Sequence, residues 1–273
     1  MSDLTPSSPA LHLEDTGGEG RPVVLIHGWP LSGASWKDTV PALTAAGLRV
    51  ISYDRRGFGQ SAPATDGNYD YDALTSDLSR IVEDLDLRDV SLVGFLMGCG
   101  EVVRYVGVHG QERVHSVVFA SAIPPWLLKS EENPAGGLPR AEAEKMQQGL
   151  REDREAFFEE FTTNFFSADG DLKVTEQQRQ EALSITAQAD LEAAVTCIGS
   201  WLEDFTNDVS AITVPTLVIH GDSDAIVPFE VSGQRTADAI PGSELVVVKD
   251  GPHGINVSHT QEFNDALVAF LTR

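Results

Sequence analysis

Short apolar, β-branched runs recur along this chain with helical patterns between them, and that alternation restricts the fold more than any other feature. The runs fall at residues 22–26, 48–53, 90–93, 116–120, 216–219 and 244–248. Helical periodicity occupies 36–46, 71–87, 100–109, 231–239 and 261–271. Strands apolar on both faces must be covered on both faces, which helices do in a parallel sheet. The expected fold class is α/β, a mostly parallel, doubly wound sheet. The alternation breaks over residues 123–210, which open with Pro124-Pro125-Trp126 and pass through a Pro/Gly-rich turn at 133–139. The rest of that stretch reads as helices rich in Glu, Gln and Ala, with aromatics at Phe157, Phe158, Phe161, Phe165, Phe166 and Trp201. Residues 1–122 and 211–273 are therefore expected to form an α/β core, and 123–210 a helical cap over the carboxyl ends of its strands. Most of the cap aromatics should pack cap against core, and some should line a pocket.

One turn carries the chemical question. The run at 90–93 leads into Val93-Gly94-Phe95-Leu96-Met97-Gly98, and a helical pattern follows. Strand, sharp turn and helix in that order, with glycines at the first and last positions of G-x-x-x-G, is the context that presents a nucleophile, G-x-S-x-G. The central residue here is Leu96, which offers no oxygen and no proton.

Three segments directly after expected strands could surround that turn. His27-Gly28-Trp29-Pro30 can aim the Trp29 amide at an oxyanion, with the Met97 amide as the second donor; the His27 side chain reads as structural. His220-Gly221-Asp222-Ser223-Asp224 supplies two carboxylates. No further cluster gives them metal-ligand spacing, so one is expected to orient a histidine and the other to serve a cap or turn. Asp250-Gly251-Pro252-His253-Gly254 holds a histidine on a tight loop, and the chain order elbow, Asp224, His253 suits a general base oriented by an acid.

Together these segments resemble the α/β-hydrolase superfamily, in particular its cofactor-free haloperoxidase, perhydrolase and arylesterase branch. The likeness runs through residues 24–30, Tyr53-Asp54-Arg55-Arg56-Gly57-Phe58-Gly59-Gln60-Ser61, the elbow with Gly100-Glu101-Val102-Val103-Arg104-Tyr105, Glu132-Asn133-Pro134, Gly136-Gly137 and Gly251-Pro252-His253-Gly254. It implies an acyl-enzyme formed on an elbow serine and released by water or hydrogen peroxide, with no haem, metal or other cofactor. It places the nucleophile on Leu96, the acid on Asp224, the base on His253 and the oxyanion donors on Trp29 and Met97. Pro30 resembles the residue that perhydrolytic members carry beside the oxyanion loop. Pro30, Trp126, Trp201 and Ile226 are the expected substrate contacts, and a small ester, carboxylic acid or hydrophobic molecule the expected ligand. A homo-oligomer is expected by the same analogy. The chain departs from the pattern at Leu96 and at Cys99, where a small residue is usual.

Losing a triad nucleophile should leave only the acceleration of about 10³ to 10⁴ over water that binding and an oxyanion hole supply. Four readings follow: a variant made or selected to lack hydrolysis, a ligand-binding protein without turnover, a His253–Asp224 dyad enzyme, or Cys99 as a substitute nucleophile. The dyad enzyme would be an oxygenase, lyase or isomerase. Cys99 at a helix start should face the neighbouring strand as a packing residue, and Cys197 should be core.

Composition adds boundaries. A formal charge of −23 repels nucleic acid and anionic membranes, and an acidic surface with arginine exceeding lysine also suits a high-salt habitat. Two cysteines make no disulfide or metal framework, which fits a reducing cytoplasm. The opening residues 1–9 are polar and lack the pattern of a signal peptide, and no apolar run approaches the roughly 20 residues that cross a bilayer.

Overall fold

The computed structural model describes residues 9–273, so residues 1–8 of the polar opening segment lie outside the described residues. Seven strands form one sheet: β1 (Leu13–Asp15), β2 (Pro22–Ile26), β3 (Arg49–Tyr53), β4 (Val90–Phe95), β5 (Val114–Ala120), β6 (Thr216–Gly221) and β7 (Glu244–Val248). Their order is β1-β3-β2-β4-β5-β6-β7, with β1 antiparallel to β3 and every other pair parallel. Six of these are the expected runs. The short β1, which pairs Leu13 with Tyr53, carries no apolar run and was not legible.

The strands β2, β4 and β6 are buried almost end to end, because helices cover both faces of the sheet. These are α1 (Val40–Ala45), α2 (Tyr71–Asp84), α3 (Met97–His109), α8 (Thr206–Ser210), α9 (Gly233–Ala239), α10 (Ile255–Ser258) and α11 (Thr260–Leu271). Between β5 and β6 the chain inserts α4 (Arg140–Glu152), α5 (Arg154–Phe165), α6 (Glu176–Thr186) and α7 (Leu191–Ser200). Local chemistry sets their starts: Asp70, Asp153 and Asp190 each cap a helix by accepting a backbone N–H, and Thr175 with Gln178 forms a capping box. The insertion is not wholly helical. Leu128–Lys129 pairs with Leu138–Pro139, and Ser167–Ala168 with Asp171–Leu172. The helix expected over 36–46 is broken into a 3₁₀ turn, Gly33–Trp36, and α1. Pro41 explains the break, since it lacks the N–H an interior helical position needs and is tolerated in a first turn.

The chain leaves β2 for β3 on one side of it and returns to β4 on the other. A crevice therefore lies at the carboxyl ends of β2 and β4, the place where open parallel sheets bind ligands. No helix among the described residues is long and apolar enough to cross a membrane.

Candidate functional site

Leu96 stands between the end of β4 and the first residue of α3, with φ +50° and ψ −111°. A side chain in that left-handed region costs on the order of 1–3 kcal/mol. The glycines on either side make the turn feasible. A Cβ on Gly94 would come within 2.6 Å of the Cys99 nitrogen, and one on Gly98 within 2.4 Å of the Ile26 carbonyl oxygen. Strand β4, helix α3 and strand β2 thus touch through bare backbone, and the Leu96 amide donates to Ala120 O at 3.0 Å to anchor the turn on β5.

The expected oxyanion segment lies against this turn. A Cβ on Gly28 would approach Phe95 Cδ1 to 3.0 Å and Leu96 Cβ to 3.3 Å. The Leu31 amide donates to Gly28 O at 3.0 Å and closes a turn around Trp29 and Pro30. Neither the Trp29 nor the Met97 amide donates to a protein group among the described residues. Met97 opens α3, so its N–H carries the positive end of the helix dipole. The Trp29 indole is fixed separately, donating to Ala194 O at 3.0 Å and meeting Phe157, Phe158, Phe161 and Trp201 edge-on. That cluster ties the turn after β2 to the inserted helices, as cap-to-core packing should.

His27 is structural. Its Nε2 accepts from the Arg55 amide at 2.9 Å, so its Nδ1 donates to Gly28 O at 2.8 Å. Burial and the Arg55 charge hold its pKa well below the usual histidine value. Arg55 donates to His27 O at 2.6 Å and pairs with Glu101 at 2.5 Å, and Tyr53 donates to Glu101 at 2.7 Å. Tyr53, Arg55 and Glu101 carry the family likeness in the sequence, but their contact with one another is visible only in the fold. A fully buried ion pair clamps the loop after β2 to α3.

The acid and the base meet as the chain order predicts. His253 Nδ1 donates to Asp224 Oδ2 at 2.6 Å. Asp224 Oδ1 accepts from the Ile226 and Val227 amides at 2.9 and 2.8 Å. Burial alone would push the Asp224 carboxyl up, but His253 and His220 outweigh it and hold the carboxyl well below the usual range. Asp222 is exposed and bonds its neighbour Ser223, the turn role expected for the second acid. The His253 carbonyl accepts from Ser121 Oγ at 2.8 Å, and its ring lies edge-on to Phe95 and Phe165 at 5.5 and 5.0 Å. Phe95 directly precedes Leu96, so the histidine loop and the elbow share one aromatic wall. His253 is fully buried and its Nε2 has no hydrogen-bond partner among the described residues.

Beside the elbow is an apolar cavity of about 80 Å³ lined by Leu96, Ile123, Leu127, Met146, Trp201 and Ile226, among others. Of the residues expected to contact substrate, Trp201 and Ile226 line this cavity. Trp126 does not: its indole donates to Leu202 O at 3.2 Å and its strand bridge to Asp204 turns it away, so Leu127 lines the cavity instead. Pro30 is buried behind a cis Trp29–Pro30 peptide and is likewise absent from the lining. Cys99 is fully buried with Sγ 3.5 Å from Ala120 O on β5, and burial pushes its thiol up. Cys197 is also buried, its pKa raised to about 12. Neither geometry makes a nucleophile. Among the described residues no group of three or more His, Cys, Asp or Glu could hold a metal.

Comparison with known proteins agrees with this arrangement. Residues 21–260 match the α/β-hydrolase fold family. The chain is 42% identical over 260 residues to the non-heme chloroperoxidase CPO-A1 of Kitasatospora aureofaciens, covering 94% of each. It is 32% identical to a bifunctional esterase/perhydrolase of Acinetobacter calcoaceticus, again covering 94% of each. The bromoperoxidase structure from Bacillus anthracis superposes with a TM-score of 0.93 at 50% identity, covering 97% of this chain and 96% of that one. The seven-stranded, mostly parallel sheet, its helices and these relatives together establish that the chain belongs to the α/β-hydrolase fold family, among its non-heme haloperoxidases and esterases.

Proposed function

We propose that this chain is an esterase/perhydrolase scaffold for small esters, or for carboxylic acids with peroxide, whose acyl-transfer chemistry is blocked at position 96. The observation that carries the reading is the buried Asp224–His253 pair at 2.6 Å, whose outer nitrogen, Nε2, has no partner. A base oriented by an ionised acid and lacking its proton donor is a triad short of one member. With serine at position 96, its hydroxyl would give its proton to His253 Nε2 as Oγ attacks the acyl carbon. The Trp29 and Met97 amides would face the oxyanion. His253 would then return the proton to the departing alkoxide, and water or hydrogen peroxide would release the acid or peracid. The relatives named as chloroperoxidase and esterase/perhydrolase support both acceptors.

The expected result is that Leu96→Ser hydrolyses p-nitrophenyl acetate, and oxidises bromide when given both acetate and hydrogen peroxide, faster than the parent by orders of magnitude. A folded Leu96→Ser protein inert in both assays overturns the reading. A second reading draws on the same pair: His253, still oriented by Asp224, can serve as a base for proton abstraction without any nucleophile. It requires a parent activity that is lost in His253→Ala and indifferent to position 96.

A further inference from the structure

Asp224 is held by more than the histidine it orients. His220, four residues earlier at the end of β6, is fully buried, with Nε2 3.0 Å from Asp224 Oδ2 and 2.9 Å from Val227 O. Both neighbours only accept hydrogen bonds, so the His220 proton sits on Nε2; a lone pair there would face two oxygens. The opposite nitrogen, Nδ1, is buried without a partner among the described residues, and α9 seals it, since a Cβ on Gly233 would come within 2.6 Å. The His220 ring is further fixed against Phe229, centroids 5.8 Å apart.

We infer that His220 is a positioning residue, whose Nε2–H fixes the rotation of the Asp224 carboxylate so that Oδ2 stays aligned with His253 Nδ1. The inference rests on the reading that Asp224 orients His253. The terminal torsion of an aspartate is soft, with broad minima. The Ile226 and Val227 amides hold only Oδ1. His220 Nε2 is the second nitrogen close to Oδ2, at 3.0 Å, so three hydrogen bonds and this contact together surround both oxygens and favour one orientation of the carboxylate. This contact is not legible from the sequence, because it depends on the turn at 221–224 folding the chain back onto the strand that precedes it.

The variants that separate positioning from space-filling are His220→Met, which keeps the volume and loses the donor, and His220→Gln, which places an amide N–H near the position of Nε2. His220→Asn is polar but too short to reach Asp224. The primary measurement uses the chain with Leu96 in place: the downfield proton resonance of His253 Nδ1–H. It should move upfield or broaden by exchange in the Met and Asn variants and stay near the parent's in Gln. In a Leu96→Ser background, kcat should fall about tenfold in Met and Asn with KM unchanged, and Gln should recover most of it. An unchanged resonance in folded His220→Met overturns the inference, as does a Gln variant no closer to the parent than Asn. If Met does not fold, the Gln and Asn pair decides. An inert Leu96→Ser protein would refute acyl transfer while leaving the resonance to judge His220.

Discussion

Restoring a serine at position 96 should cost stability, and the size of that cost tests the geometry of the whole site. Leu96 is 2% exposed, and it borders the cavity of about 80 Å³. Truncating a buried leucine in a core typically costs about 2–5 kcal/mol, the larger values where the site cannot collapse. The walls here belong to different elements, Ile123, Met146 and Ile226 among them, so collapse is restricted. The backbone strain at φ +50° persists in both proteins because serine also carries a Cβ. One term favours serine: its hydroxyl can pair with His253 Nε2, and such a bond is worth about 1 kcal/mol net. The balance is a loss of about 1–4 kcal/mol, or about 2–8 °C in thermal midpoint for a chain of this size. Urea unfolding and calorimetry of Leu96→Ser and Leu96→Ala measure it. Ala lacks the hydroxyl, so Ser should be at least as stable as Ala. If Ser were less stable than Ala by about 1 kcal/mol or more, the hydroxyl would be buried without a partner, and His253 would not stand across from position 96.

Three further outcomes follow from buried groups around the site. Arg55→Ala strands Glu101 in the core and should cost about 3–5 kcal/mol in urea unfolding, while Arg55→Met with Glu101→Leu should recover most of that; equal losses would mean the pair is not buried. His27 has its pKa depressed by burial and by Arg55, so the folded state resists protonation while the unfolded state accepts it. Its stabilising contribution is therefore complete above about pH 6.5 and declines as pH falls below that value toward the depressed pKa. The thermal midpoint of His27→Gln should fall less steeply than the parent's between pH 7 and 5, and parallel curves would refute the assignment. Cys99 and Cys197 should both be inert to a thiol reagent in the native protein and react only on unfolding, and rapid labelling of Cys99 would reopen its candidacy as nucleophile.

The sheet was legible because its strands are apolar on both faces, a signal that survives without any tertiary information. Strand β1 escaped because Leu13-Glu14-Asp15 is half-exposed at the sheet edge and has no such signal. The His253 loop and Asp224 were legible because each follows a strand within a Gly- or Pro-bearing turn. Roles that depend on side-chain direction were not. Trp126 and Leu127 are neighbours, and only the bridge between Trp126 and Asp204 decides which of them faces the cavity. The Arg55–Glu101 pair joins residues 46 positions apart, and nothing in either segment alone announces it.

The unusual feature of this chain is that its costs and its apparent benefits are mismatched. A side chain held at φ +50°, a fully buried histidine nitrogen without a partner and an ionised aspartate in the interior each work against stability. In a triad those terms have a return, since the strain exposes the nucleophile and the unpaired nitrogen receives its proton. With Leu96 they have none, yet the supports around them are complete: the Arg55 clamp, the Ser121 anchor on the His253 carbonyl, and the three donors on Asp224 with His220 beside them. On the proposed reading a single residue separates this frame from a complete triad, which is why Leu96→Ser should be enough to produce acyl transfer.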